Sequence, residues 1–276
     1  MPRIRARLRP EKDRVVEKEK EKEKEKAADM CFSWRMSLTF AAAGAAATVY
    51  AALDRRLRAE YMPVLLAFYT AMEALQTVQY MLVNECSDPR NRWLTEVAYA
   101  LVVVQPLLWN VVFYLRMSGM SKSGRSSTSS SSSSSSKRVF LCAAAMCVLW
   151  ILMSVFSRLT YAGEDKDALC SFFHRGETPC TMQDDGGHLY WSWPSRHYRD
   201  MNASFFMYLV LWFVPALFVA QTRPTGVVLM IGAALSLAVT VLMGKGNLIE
   251  FPSTWCLASV PILGACILLT LTGRPL

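Results

Sequence analysis

Residues Val139–Ser157 read VFLCAAAMCVLWILMSVFS, an uncharged run closed by Lys137 and Arg138 on one side and by Arg158 on the other. A helix rises about 1.5 Å per residue, so roughly 20 apolar residues cross a hydrocarbon core about 30 Å thick. This run is short but sufficient. Comparable segments recur at approximately 32–53, 62–84, 95–115, 203–222, 226–243 and 254–272, which brings the total to seven. In lipid the backbone must satisfy its own hydrogen bonds, so segments of this length and pattern are helices and not the strands of a barrel. The expected fold is therefore an all-α integral membrane protein, a seven-transmembrane-helix bundle with the lipid bilayer as its partner.

The composition points the same way, with 53% hydrophobic residues, 19% charged residues and a mean hydropathy of +0.23. A soluble enzyme is excluded first. No catalytic motif of recognised spacing occurs, none of the three histidines falls in an apolar segment, and the last segment has no lysine for a retinal Schiff base. Neither an enzyme nor a cofactor is expected. Residues 1–29 form a charged tail, arginine-rich at first and then alternating Glu and Lys from Glu17 to Lys26, and are read as disordered. Glu and Asp nearly balance the basic residues that follow the start, so no nucleic-acid partner is expected. The membrane domain is placed at 30–276. Within it, 116–138 is read as a serine-rich cytoplasmic loop around Ser126–Ser136, and 158–202 as a long outer loop carrying the aromatic stretch Leu189–Trp193.

Seven spans place the two termini on opposite sides, which lets the short loops be sorted by charge. One side gathers Arg55, Arg56, Arg58, Arg116, Lys122, Arg125, Lys137, Arg138, Arg223 and Arg274. That side is read as cytoplasmic, giving N-terminus out and C-terminus in. Against it stands the tail, whose Lys and Arg lie close to the first segment. Cysteines supply a second line, because Cys31, Cys86, Cys170, Cys180 and Cys256 lie at or beyond the outer ends while Cys142, Cys147 and Cys266 lie inside segments. Such placement suits an oxidising outer compartment, with Cys170–Cys180 as the simplest disulfide. A zinc site drawn from Cys170, His174, Cys180 and His188 fits no common spacing.

Chemistry is expected near Glu73, since an ionisable group at the middle of a span costs several kcal/mol unless it is neutralised, paired or facing a wet cavity. Tyr69, Glu73, Gln76, Thr77 and Tyr80 recur at helical spacing and form one polar stripe, with Gln79 on its flank. Thr95, Tyr99, Gln105 and Asn110 form a matching stripe on the next segment, running past Trp109. Pro106 frees the carbonyl of Val102 and should kink that helix. Two readings stand. In one, Glu73, Gln76, Gln105 and Asn110, with Tyr69 and Tyr99 beside them, line a site for a small polar solute, a cation or a proton. In the other they form a hydrogen-bond network that only holds the bundle together.

The motifs Met30-Cys31-Phe32-Ser33, Met72-Glu73-Ala74-Leu75-Gln76, Asn91-x-x-x-Thr95, Gln105-Pro106 and Ser253-Thr254-Trp255-Cys256 resemble an uncharacterised family of multi-pass membrane proteins, a domain of unknown function with a Met-Cys-Trp-Ser-like start. Phe32 stands where that family has tryptophan. The resemblance covers residues 30–272 and implies a fold without a mechanism, with Glu73 and Gln76 in the shared core. A carrier or channel is the leading expectation, ahead of a seven-helix receptor or sensor with an outward-facing pocket and of a structural membrane protein without a ligand.

Overall fold

The computed structural model describes residues 34–122, 130–160, 178–183, 189–193, 205–243 and 251–272. The protein is mostly helical. In chain order the elements are α1 (Trp34–Leu53), α2 (Arg55–Ala59), α3 (Met62–Gln79), α4 (Pro89–Lys122), α5 (Ser130–Leu159), β1 (Cys180–Gln183), β2 (Leu189–Ser192), α6 (Phe205–Phe218), α7 (Arg223–Met243) and α8 (Phe251–Leu271). Each apolar segment read from the sequence falls on a helix. Among the described residues, three helices are long and apolar enough to cross a membrane: Trp34–Leu53, Pro89–Gly119 and Ser134–Phe156. Shorter apolar helices cover Phe206–Phe218, Arg223–Val239 and Ile262–Leu271. Helix α3 falls outside both groups because Glu73, Gln76 and Gln79 dilute its apolar character.

Small side chains set the closest approach between helices. Ser37, Ala41, Gly44 and Ala51 follow one another at helical spacing on α1, and its closest neighbour is α3. A Cβ at Gly44 would overlap the hydroxyl of Thr70 on α3, so glycine is what permits this approach. Gly232 of α7 meets Ile262 of α8 in the same manner. Helix α4 packs on α3, α5, α6 and β1. Around it lies an aromatic core, in which Phe113 stacks between Trp109 and Phe140 while Trp212 meets Tyr208, Phe213 and Trp255 at centroid distances of 4.8–5.4 Å.

The link between α1 and α3 is tightly specified. Asp54 caps α2, its Oδ1 accepting from the backbone N–H of Arg56 (2.8 Å) and of Leu57 (3.0 Å). Leu57 is fully buried, which anchors this short helix, and Tyr61 then adopts a left-handed backbone (φ 57°) to turn the chain into α3, whose first turn carries Pro63.

Three expectations are corrected here. The chain is not all-α, because β1 and β2 form an antiparallel hairpin within 158–202, with Cys180 opposite Ser192 and Gln183 opposite Leu189. Nor is 116–138 a loop throughout: α4 runs on to Lys122 and α5 starts at Ser130, leaving only 123–129 outside the described residues. Serine costs a helix only about 0.5 kcal/mol relative to alanine, so the long apolar helix that follows can extend back into the serine tract. Finally, Cys180 is bonded to Cys86 and not to Cys170, which itself lies outside the described residues. Sequence proximity favours Cys170. The hairpin, however, folds back onto the turn between α3 and α4, where the amide N–H of Asn84 donates to the carbonyl of Thr181 at 3.1 Å.

Candidate functional site

Helix α3 carries two polar faces, one turned to α1 and one to α4. Tyr69, Met72 and Gln79 recur at helical spacing and meet α4: Trp109 Nε1 donates to Tyr69 Oη (3.0 Å), Gln105 Nε2 to Met72 Sδ (3.0 Å), and Gln79 Nε2 to the carbonyl of Leu94 (3.2 Å). Thr70 and Glu73 lie on the other face. There the Ser37 hydroxyl of α1 bonds the Glu73 carboxyl, one turn of α1 away from Ala41 and two turns from the glycine that lets the two helices approach. Glu73 is thus a residue of the α1–α3 contact.

Of the residues singled out by sequence, Tyr69, Glu73, Gln76, Gln105 and Asn110 are all buried, with Glu73 only 2% exposed. Gln105 is held between Met72 and Tyr208, whose hydroxyl donates to Gln105 Oε1 at 2.8 Å. Asn110 donates through Nδ2 to the carbonyls of Pro106 and Leu211, both at 2.8 Å, which ties α4 to α6 beside the in-helix proline. Despite Pro106, α4 is one continuous helix. Among the described residues, Glu73 makes no hydrogen bond to Gln105 or Asn110. Several buried atoms in this belt keep unused capacity: Glu73 Oε1, Gln76 Nε2, Thr70 Oγ1 and Asn110 Oδ1 have no partner among the described residues. A polar atom in that state costs on the order of 1–3 kcal/mol unless water or a ligand reaches it.

The hairpin end is different. Asn91, which begins the Asn91-x-x-x-Thr95 step, behaves like an extra strand beside β1. Its Oδ1 accepts the N–H of Thr181 (2.8 Å), and its Nδ2 donates to the carbonyls of Thr181 (3.1 Å) and Leu82 (2.6 Å). Asn84, in a left-handed backbone that asparagine tolerates, accepts the N–H of Gln183 at 3.0 Å. Below, the hydroxyls of Thr95 and Thr181 share a 2.8 Å bond, Gln79 Nε2 donates to Thr181 Oγ1 (3.0 Å), and Trp191 Nε1 donates to Gln79 Oε1 (3.1 Å). Trp193 Nε1 donates to the carbonyl of Thr95 (2.9 Å), and its ring meets Tyr99 edge-on at 5.3 Å. Tyr99 accordingly belongs to this cap and not to the Glu73 belt. The disulfide to Cys86 closes the arrangement. Cys180, being so bonded, cannot serve as a thiolate ligand for zinc.

The opposite end holds an ion pair that sequence reasoning missed. Arg116 is only 3% exposed, and its Nε is paired with Oε2 of Glu60 in the link before α3. Burial pushes the Glu60 carboxyl above its usual range, with the Arg116 charge and hydrogen bond acting in the other direction. Its Nη1 and Nη2 have no partner among the described residues. Only helical phasing could have flagged it, since the loop-charge count treats Arg116 as one of many cytoplasmic cations. Ser37 and Tyr208 were likewise missed, because their partners lie far along the chain.

The profile of a protein family described as a family of unknown function (DUF5765) matches residues 35–274. The chain belongs to that family. The match takes in every helix from α1 to α8 and with them the Glu73 belt, the Asn91 cap and the Arg116 pair, while residues 1–29 fall outside it. A relative in this comparison is the "Uncharacterized protein R287" of Acanthamoeba polyphaga mimivirus, 27% identical over 240 residues that span 84% of this chain and 91% of the viral one. No solved structure matches the chain. Family membership thus supplies no activity, and any function must be argued from the site itself.

Proposed function

We propose that this protein is a seven-helix integral membrane protein, N-terminus outside and C-terminus cytoplasmic, that carries or conducts a small polar solute, a cation or a proton through the belt around Glu73. The membrane reading is supported by large apolar residues left exposed along the helices, such as Leu149, Leu152 and Phe156 on α5 and Ile231, Leu235 and Leu242 on α7. A disulfide between the α3–α4 turn and the hairpin suits an oxidising compartment at that end, and the opposite end carries Arg55, Arg56, Arg58, Lys137 and Arg138.

The observation that carries the transport reading is the unused capacity at Glu73. A carboxyl 98% sequestered, satisfied at one point by Ser37 and open at Oε1, is what a mid-membrane binding group requires. A receptor with an outward-facing pocket fits less well, because at that end Asn91, Thr95, Gln79, Thr181, Trp191 and Trp193 are already paired. The test is flux in proteoliposomes holding the purified full-length chain, read with a pH-sensitive dye and with cation indicators. Glu73→Gln, which keeps the shape and one acceptor oxygen but removes the titratable group, should fold normally and abolish the flux. Equal flux in the variant would leave the belt a structural network.

A further inference from the structure

We propose that Arg116 anchors a binding site for a phosphate-type oxyanion at the basic end of the bundle, distinct from the Glu73 belt. Three observations converge there. The guanidinium is buried, its Nε meets Glu60, and its two terminal nitrogens have no hydrogen-bond partner among the described residues. Those terminal nitrogens form a planar fork that matches two oxygens of a phosphate, and a fork left dry in a buried setting is unfavourable. An arginine can hold one anion through Nε and a second through its fork.

Charge at this end suits a second anion. Glu60 already balances Arg116, so a phosphate there requires other cations close by. Helix α2 supplies them, with Arg55, Arg56 and Arg58 exposed in the short stretch leading to Glu60. These arginines sit on a fixed element: Asp54 caps it, Leu57 buries it, Tyr61 closes it, and Arg56 Nη1 reaches the carbonyl of Leu271 at 3.5 Å. Asp54 and Glu60 are the acidic groups of this link, and Asp54 is occupied as the cap. A rigid basic surface on the element that leads straight to Glu60, the partner of Arg116, is a recognition device; a solubilising surface needs no such rigidity. The phosphate could come from solution or from a lipid headgroup, since Arg116 directly follows the apolar segment 95–115 and the exposed Leu115.

Thermal unfolding of the purified full-length chain in non-ionic detergent distinguishes these sources. Sodium phosphate titrated against sodium chloride at matched ionic strength tests the free anion, and dioleoyl phosphatidic acid against dioleoyl phosphatidylcholine tests the headgroup. A saturable rise in the unfolding midpoint with phosphate, lost in Arg116→Lys, supports a site for the soluble ion. The same rise with phosphatidic acid alone, again lost in Arg116→Lys, supports a lipid site. No rise with either, or an equal rise in Arg116→Lys, overturns the proposal. If Arg116→Lys does not fold, Glu60→Gln decides: removal of the competing charge should lower the concentration giving half the effect, and an unchanged or higher concentration overturns it.

Discussion

At the hairpin end, Asn91, Thr95, Gln79, Thr181, Trp191 and Trp193 pair with one another or with backbone, whereas Glu73, Gln76, Thr70 and Asn110 in the belt each keep an atom without a partner. Both sets are buried, apart from the half-buried Thr70. The difference teaches that burial of polar side chains does not by itself mark a site; unused hydrogen-bonding capacity does. A closed network rigidifies, and an open one has room for something else. Substitutions at the cap should therefore reduce stability, and substitutions in the belt should reduce activity.

The largest effect is expected at the disulfide. Cys86 and Cys180 are 94 residues apart in sequence, and closing a loop of that size stabilises by about 4–5 kcal/mol in the chain-entropy account. Cys180→Ser should lower the unfolding midpoint strongly, reducing agent should bring the wild type to the same value, and it should leave the variant unchanged. A wild type indifferent to reduction would mean that the hydrogen bonds hold the cap unaided.

Asn91→Ala comes next. Three hydrogen bonds to Thr181 and Leu82 are lost and the Thr181 N–H of β1 loses its acceptor, for a cost of about 2–4 kcal/mol. Hydrogen exchange at the Thr181 amide should accelerate with it. Glu73→Gln, equally buried, should change stability by less than about 1 kcal/mol. Equal costs at the two positions would erase the distinction between the two regions.

Gly44→Ala should cost about 1–3 kcal/mol by overpacking against Thr70, and Thr70→Ala should recover much of that loss in the double variant. Additive losses would place the strain elsewhere. The smallest effect concerns Glu60. Its folded-state carboxyl sits above the usual range, so the unfolded chain releases this proton first. Its contribution favours the folded state below the ordinary carboxylate pKa and is lost as pH rises through the raised folded value. Thermal midpoints measured across that interval should fall more steeply in the wild type than in Glu60→Gln, and parallel curves would refute the raised value.

Helix positions were legible because apolar runs report burial or lipid contact whatever the tertiary arrangement, as at Val139–Ser157. Helical spacing likewise picked out Tyr69, Glu73, Gln76, Gln105 and Asn110 as buried. What spacing could not assign was partners. Glu73 and Tyr69 are four residues apart, yet one faces Ser37 and the other Trp109, a division set by how closely Gly44 lets α1 approach. Long-range pairing escaped for the same reason: Cys86–Cys180, Asn91–Thr181 and Glu60–Arg116 join segments distant in sequence, and only the folded chain brings them together. The hairpin itself was masked by its length, since strands of four residues leave too short an alternation to read.

Glu73 sealed at bilayer depth from both aqueous faces is what the carrier reading requires of the resting protein. Cysteine labelling in intact, sidedness-defined membranes measures it directly, with Glu73→Cys compared with Arg90→Cys and Arg55→Cys in a background lacking other free thiols. A membrane-impermeant thiol reagent should modify position 90 from outside and position 55 from the cytoplasmic face, and should react with position 73 orders of magnitude more slowly from either. Rapid modification at position 73 from one face, or modification of positions 55 and 90 from the same face, would contradict the arrangement.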